Sequence, residues 1–187
     1  MSASADSIAA AIRAAQTRGL PPVEKWNPPF CGDLDMRIAR DGTWFYLGTP
    51  IGRHSLVRLF STVLKREGDA YFLVTPVEKV GITVDDAPFL AVDFSVQGAG
   101  RNQVLTFVTS VGDEAIAGPD HPLRFADNNG EPAPYVDIRR GLEALIDRKS
   151  FFRLVDLGVS ENIGGVDHFG IWSSGEFYPI APKGDIE

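Results

Sequence analysis

The chain has 187 residues, 44% hydrophobic and 23% charged, with a formal net charge of −7 and a single cysteine. That composition is ordinary for a soluble globular protein with a sizeable core, and it leaves no cysteine for an intrachain disulfide. No cluster of Lys and Arg is long enough to track a phosphate backbone, which argues against double-stranded nucleic acid, and no apolar run approaches a bilayer span.

Met1 to Gly19 is rich in alanine and lacks the basic start and apolar block of a secretory signal. With the lone cysteine, this points to a cytoplasmic protein. Residues 6–18 are expected to form a helix, capped by Asp6 or Ser7, with Ile8, Ala11, Ile12 and Ala15 as its apolar stripe. Gly19 and Pro21-Pro22 stop it.

Residues 28–53, PPFCGDLDMRIARDGTWFYLGTPIGR, read as a hairpin. Leu34, Met36 and Ile38 alternate with Asp33, Asp35 and Arg37, the period of a half-buried strand. Asp41-Gly42 suits a two-residue turn. That turn pairs Ile38 with Phe45 and Arg37 with Tyr46, and directly paired residues share a face. Leu34, Met36, Ile38, Phe45 and Leu47 are then expected in the core, with Asp33, Asp35, Arg37, Trp44 and Tyr46 on the opposite side. Three readings of that second face stand side by side. It is a charged outer surface, a face covered by another domain, or a ligand cleft with an aromatic platform and Arg37 as an anion clamp.

Thr49 to Gly52 forms a turn into a helix expected over 53–66. Its free backbone N–H groups, with Arg53 and His54 beside them, favour an anion, although an ordinary helix cap reads equally well. Residues 70–74 are a strand, and 76–84 continue extended. Glu78 and Lys79 adjoin its edge, one toward a cleft and one toward solvent. Residues 89–97 and 103–111 make a long hairpin around Gly98 to Asn102, and a short strand surrounds Leu123 to Phe125. Residues 134–158 are expected to be mostly helix, with Leu142, Leu145, Ile146, Phe152 and Val155 along its stripe. Arg139-Arg140 at its start opposes the dipole, a mild reason to expect an anionic partner there. Residues 170–180 close as a hairpin turning at Ser174-Gly175, pairing Trp172 with Phe177.

Three parts follow: an N-terminal helix over 1–20, an α+β domain over 21–80 and a second α+β domain over 81–187. Each domain is expected to hold a small antiparallel sheet and a packed helix. Pro50 to Phe72 and Pro134 to Phe152 share an entry proline, a basic residue and an aromatic pair, a hint of duplication.

Catalytic signatures are missing. No Walker loop, G-x-S-x-G or G-x-G-x-x-G occurs, and His54, His121 and His168 lack the i, i+4 partner of zinc hydrolases. Cys31 lies among acids, which oppose thiolate formation, and reads as a buried structural residue. Asp33 and Asp35 stand roughly 7 Å apart on a strand, wide for one cation unless other ligands converge. No metal and no cofactor are expected.

The hairpin block, LVRLFS, VTPVEKVGITVDDAPF, PYVDIRRGLEAL and GIWSSGEFYPI together resemble a bacterial family of uncharacterised proteins, domain of unknown function 1285, from about Pro22 to Pro179. The resemblance implies an α+β fold of two related parts, the C-terminal one loosely pleckstrin-homology-like. It also implies a ligand site in the cleft between them for a nucleotide-like molecule, and a signalling role. The expectation is thus a non-enzymatic binding protein for a small anionic ligand, with Asp33, Asp35, Arg37, Trp44, Tyr46, Arg53, His54, Glu78, Lys79 and Arg139 as its site. The alternatives are a protein-interaction module using the same face and a metal-assisted hydrolase built on Asp33 and Asp35.

Overall fold

The computed structural model describes residues 3–16 and 18–185, and the chain divides into two compact units, Met1–Pro88 and Phe89–Glu187. Helix α1, Ala5–Ala14, opens the first unit. Its cap is Ser4, earlier than Asp6 or Ser7. The Ser4 hydroxyl accepts from the Ser7 amide at 3.1 Å, and the Ser7 hydroxyl accepts from the Ser4 amide at 3.0 Å. This reciprocal box satisfies two donors that a helix start leaves over. Ile8 and Ile12 are fully buried, so α1 belongs to the core of this unit. Thr17, within the helix expected over 6–18, lies outside the described residues.

Six strands follow: β1 (Phe30–Ile38), β2 (Trp44–Tyr46), β3 (Thr49–Pro50), β4 (Leu64–Glu67), β5 (Ala70–Val74) and β6 (Lys79–Val84), with helix α2 (His54–Ser61) between β3 and β4. They form one sheet in the order β3-β2-β1-β6-β5-β4. The central pair, β1 and β6, is parallel, and the other neighbours are antiparallel. The helix expected over 53–66 is cut short. The Ser61 and Thr62 hydroxyls turn back to the carbonyls of Arg58 and Leu59 at 2.7 and 2.6 Å. Side chains that bond the preceding turn weaken helix continuation. Lys65 and Arg66, the last two residues of the helix expected over 53–66, lie in strand β4 instead.

One sheet face carries Leu34, Met36, Ile38, Trp44, Leu64, Leu73 and Val80, all buried. Both helices lie on that side. The Trp44 ring stacks on Phe60 of α2 at 6.3 Å, and the Tyr46 hydroxyl accepts from the Ala5 amide of α1 at 3.4 Å. Burying each large apolar side chain here contributes about 1.5–3 kcal/mol.

The second unit repeats the plan. Its strands are β7 (Phe89–Gln97), β8 (Val104–Thr109), β9 (Glu114–Ile116), β10 (Leu123–Asn128), β11 (Glu131–Arg139) and β12 (Leu142–Ile146). The order is β10-β11-β12-β7-β8-β9, with β12 and β7 parallel. Counted from its own first strand, each sheet reads third, second, first, sixth, fifth, fourth, with first and sixth parallel at the centre. The sheets are therefore larger than expected and mixed. The duplication is real, but it does not align Pro50–Phe72 with Pro134–Phe152. The former runs from third to fifth strand through a helix, the latter from fifth strand through sixth into a helix. The division falls after Pro88, not after residue 80, because β6 pairs with β1 and β5.

The helix expected over 134–158 is the largest misreading. Leu142, Ala144 and Ile146 are buried while Glu143 and Leu145 are half-buried, a period of two. Arg140 and Gly141, at φ 53° and 74°, turn β11 into β12. Only α3, Arg148–Val155, is helical, capped by the Asp147 carboxylate, which accepts from the Ser150 amide at 2.8 Å. A small sheet follows: β13 (Val159–Ile163), β14 (Val166–Ser173) and β15 (Glu176–Pro182). Its second hairpin turns at Ser174-Gly175 and pairs Trp172 with Phe177, as expected.

Candidate functional site

The first hairpin decides which residues meet. Ala39 donates to the Thr43 carbonyl at 2.8 Å, and Gly42 donates to the Ala39 carbonyl at 3.0 Å. The loop is therefore three residues, Arg40-Asp41-Gly42, with Gly42 at φ 86° where a side chain is strained. Asp41 fixes it by accepting from the Thr43 amide at 2.9 Å. The register is Met36 with Tyr46, Arg37 with Phe45 and Ile38 with Trp44. This differs by one residue from the two-residue turn, and a one-residue slip exchanges the two faces of the return strand.

Trp44 is consequently 3% exposed and belongs to the core. Tyr46 faces the helices with it. Phe45 takes the opposite face, where the Arg37 guanidinium lies 4.5 Å from its ring centroid. Leu47, expected inside, is 64% exposed in a turn at φ 51°.

The face turned away from α1 and α2 unites residues of five strands. Asp33, Asp35 and Arg37 stand on β1, as expected, with both carboxylates exposed. Arg37 forms an ion pair with Asp85. On β6, Gly81 stands opposite Asp33, and a side chain there would collide with the Asp33 carboxylate. Phe72 of β5 pairs with Gly81 and meets Phe30 edge-on at 6.0 Å. Lys79 lies 4.7 Å from the Phe72 centroid and donates to Glu67 at 3.1 Å. That hydrogen bond holds the Glu67 carboxyl below its ordinary range, with Lys65 contributing from 3.3 Å. Asp33 and Asp35 have no ion pair among the described residues. The acids Asp33, Asp35, Glu67 and Asp85 outnumber the cations Arg37, Lys65 and Lys79 by one.

Four other expected residues sit elsewhere. Arg53 is the cap position of α2 and His54 its first residue, both exposed, with no side chain capping that end. Glu78 closes a turn, its amide donating to the Thr75 hydroxyl at 3.2 Å. Arg139 is not at a helix start. It ends β11, pairs with Asp113 and lies 4.9 Å from the Phe89 centroid, and burial lowers its pKa. Cys31, expected to be buried, is exposed, and its thiol donates to the Pro29 carbonyl at 3.3 Å. Among the described residues no three His, Cys, Asp or Glu side chains gather to hold a metal ion, and no helix is long and apolar enough to cross a membrane.

The sequence reading missed Phe30, Phe45, Phe72, Gly81 and Asp85. The signal for Phe45 was the Asp-Gly turn, which serves loops of two or three residues. Gly81 left a weaker one, since a glycine inside a strand marks a close approach.

Two mixed six-stranded sheets of identical strand order, fused in one chain, define a duplicated two-domain protein. The N-terminal domain of the domain of unknown function 1285 family matches residues 21–87, and its C-terminal domain matches residues 88–180. The chain belongs to the DUF1285 family. A DUF1285 family protein from Silicibacter pomeroyi DSS-3, solved by crystallography at 2.50 Å, is 61% identical over 96% of this chain and 97% of that one, with a TM-score of 0.88. Another from Shewanella baltica OS155, solved at 1.40 Å, is 30% identical over 66% of this chain and 91% of that one, with a TM-score of 0.52. Among curated proteins nothing matches the chain. Helix α1 lies outside both matched domains, yet its isoleucines are fully buried.

Proposed function

We propose that the chain is a non-enzymatic binding protein, and that the β1–β6 face of its N-terminal sheet receives a nucleotide-like small molecule. The observation that carries this reading is the row Asp33, Asp35 and Arg37 set beside Phe45, Phe72 and Lys79 on one exposed face. A planar base lies on one of the two phenylalanine rings, as aromatic stacking favours. Asp33 and Asp35 accept hydrogen bonds from ribose hydroxyls or base N–H groups. Arg37 or Lys79 meets the anionic group.

Freeing Arg37 costs little. Arg37 and Asp85 are 43% and 37% exposed, and exposed pairs contribute about 0–1 kcal/mol. A phosphate therefore replaces a carboxylate at nearly equal energy. A metal-assisted hydrolase built on Asp33 and Asp35 has less support, because among the described residues no third His, Cys, Asp or Glu ligand converges on them. A protein-docking use of the same face is favoured by one feature, the 56% exposure of Phe30. A signalling role in the bacterial cytoplasm and a loosely pleckstrin-homology-like C-terminal part belong to this proposal, since such parts recognise partners without catalysing reactions.

Thermal melting of the full chain with nucleoside monophosphates tests the reading, because a ligand that prefers the folded state raises its melting temperature. The wild type is expected to shift saturably, and a folded Arg37→Ala variant to shift less. Equal shifts in both would remove Arg37 from the site.

A further inference from the structure

The small C-terminal sheet leaves one edge unprotected. Edge strands expose unpaired backbone groups, and proteins blunt them with Pro, Lys or Arg, bulges or short length. The other edges of this chain carry such devices. β3 is two residues with Pro50, β4 carries Lys65 and Arg66, and β9 is three residues long. β10 follows Pro122 and carries Arg124, and β15 holds Pro179 and Pro182 beside a register shift. β13, Val-Ser-Glu-Asn-Ile, has no Pro, Lys, Arg or bulge, its one charge is Glu161, and it pairs only with β14 among the described residues. Val159, Ile163 and the adjoining Val166 are 39%, 44% and 50% exposed.

We propose that β13 pairs antiparallel with β13 of a second copy about a two-fold axis at Glu161. The sequence of the strand is self-complementary in that register, as an isologous contact requires. Val159 of one copy lies opposite Ile163 of the other, twice. Ser160 lies opposite Asn162 on the other face, twice; Asn162 Nδ2 donates to Asp167 at 2.8 Å and its Oδ1 accepts from the Gly165 amide at 3.1 Å, which leaves a second N–H and a second lone pair for the Ser160 hydroxyl. Only Glu161 meets its own kind, and like charges directly opposite destabilise a sheet.

The structure supplies the remedy. Arg101 Nη2 donates to both Glu161 oxygens, at 3.0 and 2.8 Å, and Trp172 Nε1 donates to one at 3.1 Å. The Arg101 guanidinium also lies 5.1 Å from the Trp172 ring centroid. Each carboxylate thus reaches the axis already neutralised, and the four charges sum to zero. Arg101, with its side chain 68% exposed, becomes the residue that permits pairing. This edge belongs to the C-terminal unit and the proposed ligand face to the N-terminal one, so either proposal can fail alone.

Sedimentation velocity of the full chain over a concentration series is the test. The wild type is expected to show a monomer–dimer equilibrium. Ile163→Lys, which adds an edge lysine, is expected to weaken it by at least about tenfold, with the melting temperature unchanged at dilutions where the wild type is monomeric. Arg101→Ala is expected to dissociate the dimer, and Arg101→Ala with Glu161→Gln to restore it, because the second change removes the uncompensated charges. A wild type that is monomeric throughout overturns the proposal. So does an Arg101→Ala variant that dimerises like the wild type.

Discussion

Arg37 and Phe45 stand directly opposite each other across the first hairpin, with the guanidinium 4.5 Å from the ring centroid. This pairing assigns the three consecutive aromatics of β2. Phe45 goes to the charged face with Asp33 and Asp35, while Trp44 and Tyr46 turn to the helices. The same cation is shared with Asp85, so Arg37 joins β1, β2 and the end of β6 in one cluster.

Trp44 is a core residue on this account, and its removal tests the register. Trp44→Ala is expected to destabilise the protein by about 3–5 kcal/mol, the usual cost of deleting a buried large aromatic. Urea unfolding measures it. A loss below about 0.5 kcal/mol, the usual range for surface substitutions, would place Trp44 on the exposed face.

Gly81 separates folding from binding. An added methyl group meets the end of the Asp33 side chain, which can rotate away, while the Phe30 ring stands at an ordinary 3.8 Å. Gly81→Ala is therefore expected to change the unfolding midpoint little and to displace the Asp33 carboxylate over the face. Nucleotide-induced stabilisation should fall in that variant while its circular dichroism stays that of the wild type. Full retention of the ligand shift would show that the surface around Asp33 takes no part.

Asp137 gives a pH prediction in the C-terminal unit. Burial raises its carboxyl above the ordinary 3.8, Glu143 adds to the rise, and His121, with Nδ1 at 3.7 Å, opposes it. The folded state then binds more protons than the unfolded chain above pH 3.8. Stability contributed by the protonated form is lost as pH rises through the raised pKa. Asp137→Asn stays neutral, so its stability relative to the wild type is expected to improve from about pH 3.5 to about pH 7. Paired denaturation curves across that range check it, and a constant or declining difference would contradict the burial argument.

What the sequence revealed follows from how each segment signals. The alternation Leu34, Met36, Ile38 against Asp33, Asp35, Arg37 has one explanation, and the exposed carboxylates are where it puts them. Trp44-Phe45-Tyr46 has no alternation, so the turn alone sets its register. Asp41-Gly42 fits a two-residue loop as well as the observed three-residue one. Around Leu142, Leu145 and Ile146, an apolar run satisfies a helical period and a strand period equally. The ladder to β7 and β11 decided it, and long-range pairing of that kind leaves no local mark. Gly81, Phe72 and Asp85 join Asp33 and Arg37 only through the parallel contact of β1 with β6, whose partners are 46 to 49 residues apart in the chain.

The claim that the open face of the N-terminal sheet is a ligand site is tested most directly by amide NMR of the full chain titrated with AMP and GMP. The account predicts saturable shifts confined to residues 33–37, 45, 72 and 79–85. Shifts clustered on other residues, or spectra unchanged at saturating nucleotide, would contradict it.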